Sequence, residues 1–275
     1  MGDPFIFGQI AAANSLSDVF AMGGSVLTAL NIMCFDSVHF SNEIAALIIA
    51  GAQNKVRECG GSVIGGHSIR AKELHFGLSV TGLVNAKNFW ANNTAQIGDA
   101  LILTKPLGSG VLSTALKNGA LENELRNEMI EQMIRLNFYA INALKGFEIH
   151  ACTDITGFGF LGHLSEMLNE KIAFEIFTKN IPLMRGTSEK IAENFLPGGS
   201  MANKEFASVF VENKNDFDDR IFYDAQTSGG LLIAVDEKHA QSALKSLQNA
   251  GYESANIVGI VKPKNSQNKA ITLLD

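Results

Sequence analysis

The order of apolar segments predicts a protein built from helices layered on β-sheets, of the α/β or α+β class. Segments typical of helices and strands alternate along all 275 residues, without the constant repeat of a solenoid. Hydrophobic residues make up 46% of the chain and charged residues only 18%, against about 25% charged residues in an average globular protein. So little charge favours a large core, an oligomer that hides part of its surface, or both, and it excludes a disordered chain.

Charge and apolar run lengths exclude several classes of protein. The net charge is −6 and no basic stripe occurs, so a nucleic-acid partner is not expected. The longest apolar run, 44–51, is much shorter than the ~20 residues of a membrane span, and the first residues lack signal-peptide features. Cys34, Cys59 and Cys152 show no zinc-binding pattern, which predicts buried free thiols in a reducing compartment, the cytoplasm.

The first helix is predicted over 8–22, because apolar residues recur at steps of three and four before the stop signal Gly23-Gly24. Asn14 and Asp18, four positions apart, share one face of it. Small neighbouring residues would let a ligand approach that helix closely. The elements expected next are a strand over 27–33, a helix over 43–59 and strands at 62–64 and 74–84. Between the last two strands, the segment 65–70 predicts a turn.

A polar, turn-rich segment at 85–98 predicts a boundary between two domains, which we place at 1–88 and 89–275. In the second domain, the strand over 99–104 precedes a long helix over 121–145 with an apolar stripe. A short strand then leads into the segment 151–162. The remaining expected elements are helices at 109–118 and 237–250, a helix from His163, the strand LLIAV after Gly230, and strands at 172–177, 208–211, 256–262 and 270–274.

The segment Gly157-Phe158-Gly159-Phe160-Leu161-Gly162 is a GxGxxG between a strand and a helix. This pattern is typical of a dinucleotide-binding loop, and Glu175 lies near the position of the acid that binds the ribose. Asp154 argues against that function, because a carboxylate just before the loop repels pyrophosphate. A Mg²⁺ ion between Asp154 and phosphate oxygens would reverse the repulsion. The third alternative is a structural turn in which Asp154 caps the helix.

Two further segments carry candidate binding residues. In Gly65-Gly66-His67-Ser68, the glycine pair frees backbone N–H groups to face an anion, with His67 and Ser68 as further donors; an ordinary turn is the alternative. Asp18 lies among small residues, where an acid is exposed, paired or bound to a metal. Mg²⁺ takes one or two carboxylates plus substrate phosphates, so Asp18 and Asp154 together predict a magnesium–nucleotide enzyme.

Three other features favour structural functions. Lys105, in LTKPLGSG, either reaches a phosphate or belongs to a strand-to-helix turn. Asp224 and Gln226-Thr227-Ser228-Gly229-Gly230 precede the strand LLIAV and are expected to fix a turn at the domain interface. His163 is expected to begin a helix rather than to act as a base.

Five long segments, in order along essentially the whole chain, resemble the selenophosphate synthetase (selenide, water dikinase) family. These segments are GQIAAANSLSDVFAMGG, VIGGHSIR with HFGLSVTGLV, LTKPLGSGVL, TDITGFGFLGHLSEM and QTSGGLLIAV. The resemblance implies an α+β, PurM-like architecture within the aminoimidazole ribonucleotide synthetase-like superfamily. It also implies a homodimer whose N-terminal α/β domains contribute strands to a shared β-barrel, with a C-terminal α/β layered domain on each side.

The family's reaction converts ATP, selenide and water to selenophosphate, AMP and orthophosphate. The resemblance implies that Asp18 binds Mg²⁺ and contacts the nucleotide, and that Asp154 is a second Mg²⁺ ligand. It further implies that Gly66, His67 and Ser68 contact ATP across the dimer. The expected substrates are therefore ATP and selenide, with Mg²⁺ as the cofactor and the 157–162 loop holding Asp154 in place.

One departure from the family concerns the start of the chain. Family members begin with a glycine-rich segment that bears a catalytic Cys or selenocysteine and a nearby Lys, followed by strands with further acids. This sequence starts at Asp3-Pro4-Phe5, just before the first family helix, so no catalytic residue is assigned. We expect a truncated chain that is not fully active. The alternatives are another ATP-dependent synthetase of the superfamily, acting on a purine or thiamine intermediate, and a non-catalytic dimerising subunit.

Overall fold

A computed structural model describes residues 2–36, 38–214, 217–265 and 269–275. The helices in these ranges are α1 (Pro4–Ala21), α2 (Asn42–Glu58), α3 (Ser109–Lys117), α4 (Asn123–Ile134), α5 (Phe138–Ala143), α6 (Gly159–Glu166), α7 (Thr187–Ala192), α8 (Gly199–Ala207) and α9 (Glu237–Asn249). The strands are β1 (Ser25–Phe35), β2 (Ser62–Arg70), β3 (His75–Leu83), β4 (Asp99–Leu103), β5 (Ile149–Asp154), β6 (Ile172–Phe177), β7 (Val211–Asn213), β8 (Leu231–Asp236), β9 (Asn256–Pro263) and β10 (Ile271–Leu274).

The strands form two sheets, with the orders β2-β1-β3 and β5-β8-β4-β9-β6-β10-β7. In the first sheet, β1 runs parallel to β2 and antiparallel to β3. In the second, β10 is parallel to β6 and β7, and the remaining pairs are antiparallel. Mixed sheets covered by helices confirm the expected α+β class. The domain boundary at 88/89 falls between β3 and β4 and stays a prediction, as does the shared barrel.

Helix α1 begins earlier than the sequence indicates because of its N-cap. The Asp3 carboxylate accepts hydrogen bonds from the N–H groups of Phe5 (2.8 Å) and Ile6 (3.3 Å), and Pro4 follows at the first helical position. The helix ends as expected, before Gly23 with a left-handed φ of 69°. Among the described residues, no helix combines the length and apolar character that crossing a lipid bilayer demands.

Helix α1 also joins the two sheets. Its buried residues Leu16 and Phe20, both 0% exposed, belong to one core with Ile102 of β4 and Ile233 of β8. Because that core includes residues of the first sheet as well as the second, the position of α1 is fixed from both sides. The sheet positions therefore determine where the polar face of α1 lies.

The single helix expected over 121–145 is wrong, because the chain breaks between α4 and α5. The Lys105 ammonium group donates to the carbonyl of Arg135 (2.6 Å), and the Tyr252 hydroxyl donates to the carbonyl of Leu136 (2.5 Å). Partners distant in the sequence thus bind carbonyls that a continuous helix would use internally. The apolar stripe of that region does not reveal them.

The turn expected at 65–70 is also wrong, because β2 continues through Arg70. Its residues pair with β1, with Gly66 opposite Asn31 and Ser68 opposite Met33. A Cβ atom on Gly66 would lie 2.1 Å from the Asn31 Oδ1 atom. Glycine is therefore required here by close packing within a strand rather than by a turn.

Candidate functional site

A cavity of about 620 Å³ lies between the C-terminal part of α1 and the end of β5. Its lining residues come from both predicted domains and include Asp18, Met22, Trp90, Asp154, Phe158 and His163. The two acids that the sequence singled out are thus brought together, although they lie far apart in the chain.

The positive groups that act on these two carboxylates do so without direct contact: His163 acts on Asp18, and the buried Lys105 ammonium acts on Asp154. Asp154, at the end of β5, is 6% exposed, while Asp18 opens into the cavity. Within the described ranges, neither side chain takes part in a hydrogen bond or an ion pair. Desolvation by the surrounding protein raises the pKa of the Asp18 carboxyl, and the negative charge of Asp154 raises this pKa further. A nearby His163 opposes the shift.

This donor set fits Mg²⁺. The negative charge of Asp154 disfavours ionisation of the Asp18 carboxyl, and a divalent cation bound between the two would remove that penalty. The described part of the chain holds no cluster of three or more His, Cys, Asp or Glu residues suited to a metal, so a full protein cage is not present there. Mg²⁺ binds one or two carboxylates and leaves its other positions to water and substrate phosphates. The pair Asp18 and Asp154 therefore suits a metal that arrives with a nucleotide.

His163 lies at the cavity and not at the start of a helix, where the sequence placed it. Helix α6 begins at Gly159, so His163 faces back over the preceding loop. Its Nε2 atom accepts a hydrogen bond from the Phe158 N–H (3.3 Å) and lies 3.1 Å from the Thr156 Oγ1 atom. Its Nδ1 atom lies 3.4 Å from the Glu166 Oε2 atom. Gly159 lies four residues before His163, and a helix that begins at this glycine places His163 in its second turn rather than at its start.

The GxGxxG segment does not have the setting of a dinucleotide-binding loop. In such folds the loop follows a strand of a parallel sheet, whereas β5 lies at a sheet edge and pairs antiparallel with β8. Glu175, the proposed ribose ligand, lies 3.7 Å from the Lys262 ammonium on neighbouring β9. The segment expected as a loop over 157–162 is mostly helical, because residues 159–162 form the first turn of α6. Only residues 155–158 connect Asp154 to this helix.

The structure does not bring Gly66, His67 and Ser68 to this cavity. All three lie exposed on β2, at the edge of the first sheet. Because side chains alternate along a strand, His67 faces the side opposite to Gly66 and Ser68. None of them lines the cavity of Asp18 and Asp154 in the same chain, so their predicted contact with ATP requires a second copy.

Cys152 lines the cavity as well, yet its thiol is not suited to nucleophilic chemistry. Burial and the charge of Asp154 raise its pKa well above the ordinary value, which keeps the sulfur protonated at neutral pH. All three cysteines are free, as the sequence predicts; Cys59 and Cys152 are also buried as expected, whereas Cys34 is partly exposed. Lys105 is 2% exposed and does not line the cavity, which favours its structural interpretation.

Comparison with known proteins agrees with this architecture. Residues 1–84 match the family described as AIR synthase related protein, N-terminal domain, and residues 96–269 match its C-terminal domain. A selenide, water dikinase of Campylobacter jejuni is 46% identical over 255 residues, which cover 93% of this chain and 75% of the relative. A selenide, water dikinase of Clostridioides difficile is 44% identical over 276 residues, covering 99% of this chain and 78% of that protein.

This chain belongs to the selenide, water dikinase family. The match extends over 93% of the chain with the first relative and over 99% with the second. Solved structures show that the dikinase chain shares its fold with more distant proteins. Hydrogenase maturation protein HypE has a TM-score of 0.77 at 16% identity, covering 97% of this chain and 78% of that one. Thiamine-monophosphate kinase from Stenotrophomonas maltophilia has a TM-score of 0.72 at 17% identity, covering 98% and 79%.

Proposed function

We propose that this protein uses Mg²⁺ and ATP to convert selenide and water to selenophosphate, with release of AMP and orthophosphate. One observation carries the proposal: in a chain of the selenide, water dikinase family, Asp18 and Asp154 line one cavity, and neither forms an ion pair with another described residue. The family supplies the reaction, and the acid pair supplies a place for the metal and the phosphates. The reaction is assigned to the cytoplasm, where thiols stay reduced.

Four residues of the cavity have defined parts in the proposed reaction. Asp18 and Asp154 would hold Mg²⁺, which would supply positive charge against the ATP phosphates. His163 holds the 156–158 loop against α6 through Nε2, and so fixes the chain that follows Asp154. The backbone N–H of Trp90 donates to the Met22 carbonyl (3.1 Å), which holds Trp90 in the cavity lining beside the end of α1.

A homodimer completes the proposed nucleotide site. The outward face of the first sheet carries Leu30, Ile32 and Ile69, which are 44%, 48% and 45% exposed. Exposed apolar side chains on neighbouring strands mark an association surface. A second copy on that face would lie beside His67, opposite Ile32 in the sheet, which supports contact of His67 with ATP bound in the partner's cavity. Gly66 and Ser68, on the other side of β2, gain no support from that face.

The test is Mg²⁺-dependent ATP binding together with selenide-dependent AMP formation. Replacement Asp154→Asn keeps the size of the side chain and removes its charge, so we expect at least about 10-fold weaker binding of Mg²⁺–ATP in titration calorimetry. The matched control is Asp275→Asn, because Asp275 forms an exposed ion pair with Lys179 at 3.1 Å and such pairs contribute little.

Two results would overturn the proposal. Unchanged Mg²⁺ dependence in the Asp154→Asn chain would exclude Asp154 as a ligand. AMP formation that proceeds equally with and without selenide, or that requires a purine or thiamine phosphate, would assign the chain to another reaction.

A further inference from the structure

The residues 226–230, here called the 226–230 segment, bind the end of β5 that carries Asp154. The N–H of Gln226 donates to the Thr156 carbonyl (3.0 Å), and the Ile155 N–H donates to the Gly230 carbonyl (2.8 Å). Asp154 itself pairs with Leu231, the next residue after the segment. Hydrogen bonds thus join the two ends of the segment to Ile155 and Thr156, the residues directly after Asp154.

The same segment binds α1, which carries Asp18. The Ser228 N–H donates to the Asn14 Oδ1 atom (2.9 Å), and the Ser228 hydroxyl donates to the Ile10 carbonyl (3.0 Å). Asn137 adds a third link, because its Nδ2 atom donates both to the Ser17 hydroxyl and to the Gly229 carbonyl, each at 3.0 Å. The bonded residues of α1 are Ile10, Asn14 and Ser17, which lie on successive turns. Ser17 directly precedes Asp18.

Ser228 adopts a conformation that its residue type disfavours. Its φ is 51°, in the left-handed region where glycine is preferred. The side chain is 3% exposed, and the buried Lys105 ammonium donates to its carbonyl (2.9 Å). Glycine would suit this backbone better. What serine adds is the hydroxyl group and its bond to α1.

We propose that Ser228, Asn14 and Asn137 are positioning residues that set the separation of Asp18 from Asp154. None of the three lines the metal cavity, so they act on Mg²⁺ and the nucleotide only through α1 and β5. The 226–230 segment serves as a spacer between two acids that lie on separate elements. This inference rests on the proposed function of the acid pair as a Mg²⁺–ATP site.

The variant Ser228→Gly separates this role from a general structural one. It removes the hydroxyl bond to α1 and also relieves the backbone, so the thermal midpoint of unfolding should stay within a few degrees of wild type or rise. Mg²⁺–ATP binding should nevertheless weaken roughly 10-fold, as when residues that support metal ligands are replaced. Adding Asn14→Ala should weaken binding by less than the product of the two single effects, because both act on one link.

The chain offers a probe and a matched control for this experiment. Trp90 is the single tryptophan of the sequence and lines the cavity, so its fluorescence reports binding. Asn194→Gly is the control, because Asn194 is exposed and also has a left-handed φ, of 63°. It should change neither the binding constant nor the thermal midpoint appreciably.

Each outcome of these experiments either supports or excludes the positioning role of Ser228. If Ser228→Gly binds Mg²⁺–ATP like wild type while Asp154→Asn does not, the positioning role is wrong. If Asp154→Asn also binds like wild type, the proposed metal function fails, and amide hydrogen exchange then tests the spacer alone. Faster exchange of the Ile155 N–H and of the α1 amides near Asp18 in Ser228→Gly supports the spacer, and unchanged exchange at these amides overturns it.

Discussion

Asp224 shows a carboxylate used to hold a helix rather than a ligand. Its Oδ2 atom accepts hydrogen bonds from the Val111 N–H in the first turn of α3 (3.3 Å) and from the Gln226 Nε2 atom (2.7 Å). Gln226 Oε1 in turn accepts from the N–H groups of Gly108 and Ser109. The N-terminus of α3, where an anion would bind, is therefore already occupied by side chains.

The pH dependence of stability should reveal Asp224. Burial raises its pKa to about 6 from the model-compound value of 3.8, so the protonated form stabilises the fold and this contribution is lost as the pH rises through about 6. Relative to Asp224→Asn, wild type should lose about 1 kcal/mol of unfolding free energy between about pH 5 and about pH 7. Urea unfolding of both proteins measures this, and parallel pH curves would contradict it.

Single residues differ in how much of their role the sequence can reveal. Asp18 and Asp154 stand out, because an acid among small residues and an acid before a glycine loop both need an explanation. Lys105 and Tyr252 do not, because their bonds to the carbonyls of Arg135 and Leu136 join positions that are distant in the chain. Local spacing carries no information about such partners.

The crossing of α1 and α2 is set by two glycines. A Cβ atom on Gly8 would lie 1.9 Å from the Ile48 carbonyl oxygen, and one on Gly51 would lie 2.0 Å from the Phe5 carbonyl oxygen. The contact is reciprocal, since each glycine meets the backbone of the other helix. Neither helix backbone can move aside to admit an added Cβ atom, as the end of a flexible side chain could.

Replacement Gly51→Ala should therefore destabilise the protein by about 2–3 kcal/mol, because the helices must separate to admit the methyl group. Chemical denaturation gives this free energy. The control is Gly198→Ala, since Gly198 has no atom within 4 Å of an added Cβ and should change stability by less than about 0.5 kcal/mol. Equal effects of the two variants would show that the helices can adjust.

Elements were predicted well where one local pattern decides them. The strand over 172–177 agrees with β6, and the helix over 43–59 agrees with α2 to within one residue at each end. The strand expected over 208–211 overlaps β7 only at Val211, and β2 was cut short at its glycines. In both cases the pairing partner, not the local sequence, determines the length of the strand.

The exposed face of the first sheet is the proposed dimer interface. Replacement Ile32→Asp puts a charge on that face and should convert a dimer to a monomer, because a carboxylate buried at an apolar interface is strongly disfavoured. Light scattering should give twice 29.6 kDa for wild type and the single mass for Ile32→Asp.

The control for association is Met201→Asp, an equally drastic change at a side chain that is 79% exposed on α8. It should leave the mass of the dimer unchanged. A monomeric wild type, or dissociation by Met201→Asp as well, would exclude the sheet face as the association surface.

The order of strands in the second sheet bears on how the protein is made. Among the described strands, β5 pairs only with β8, which the ribosome synthesises much later. During translation, Asp154 therefore emerges on a strand without a neighbour, and it stays unplaced until residues 231–236 have left the exit tunnel. Completion of the acid pair marks a late step in biosynthesis, after most of the chain already exists.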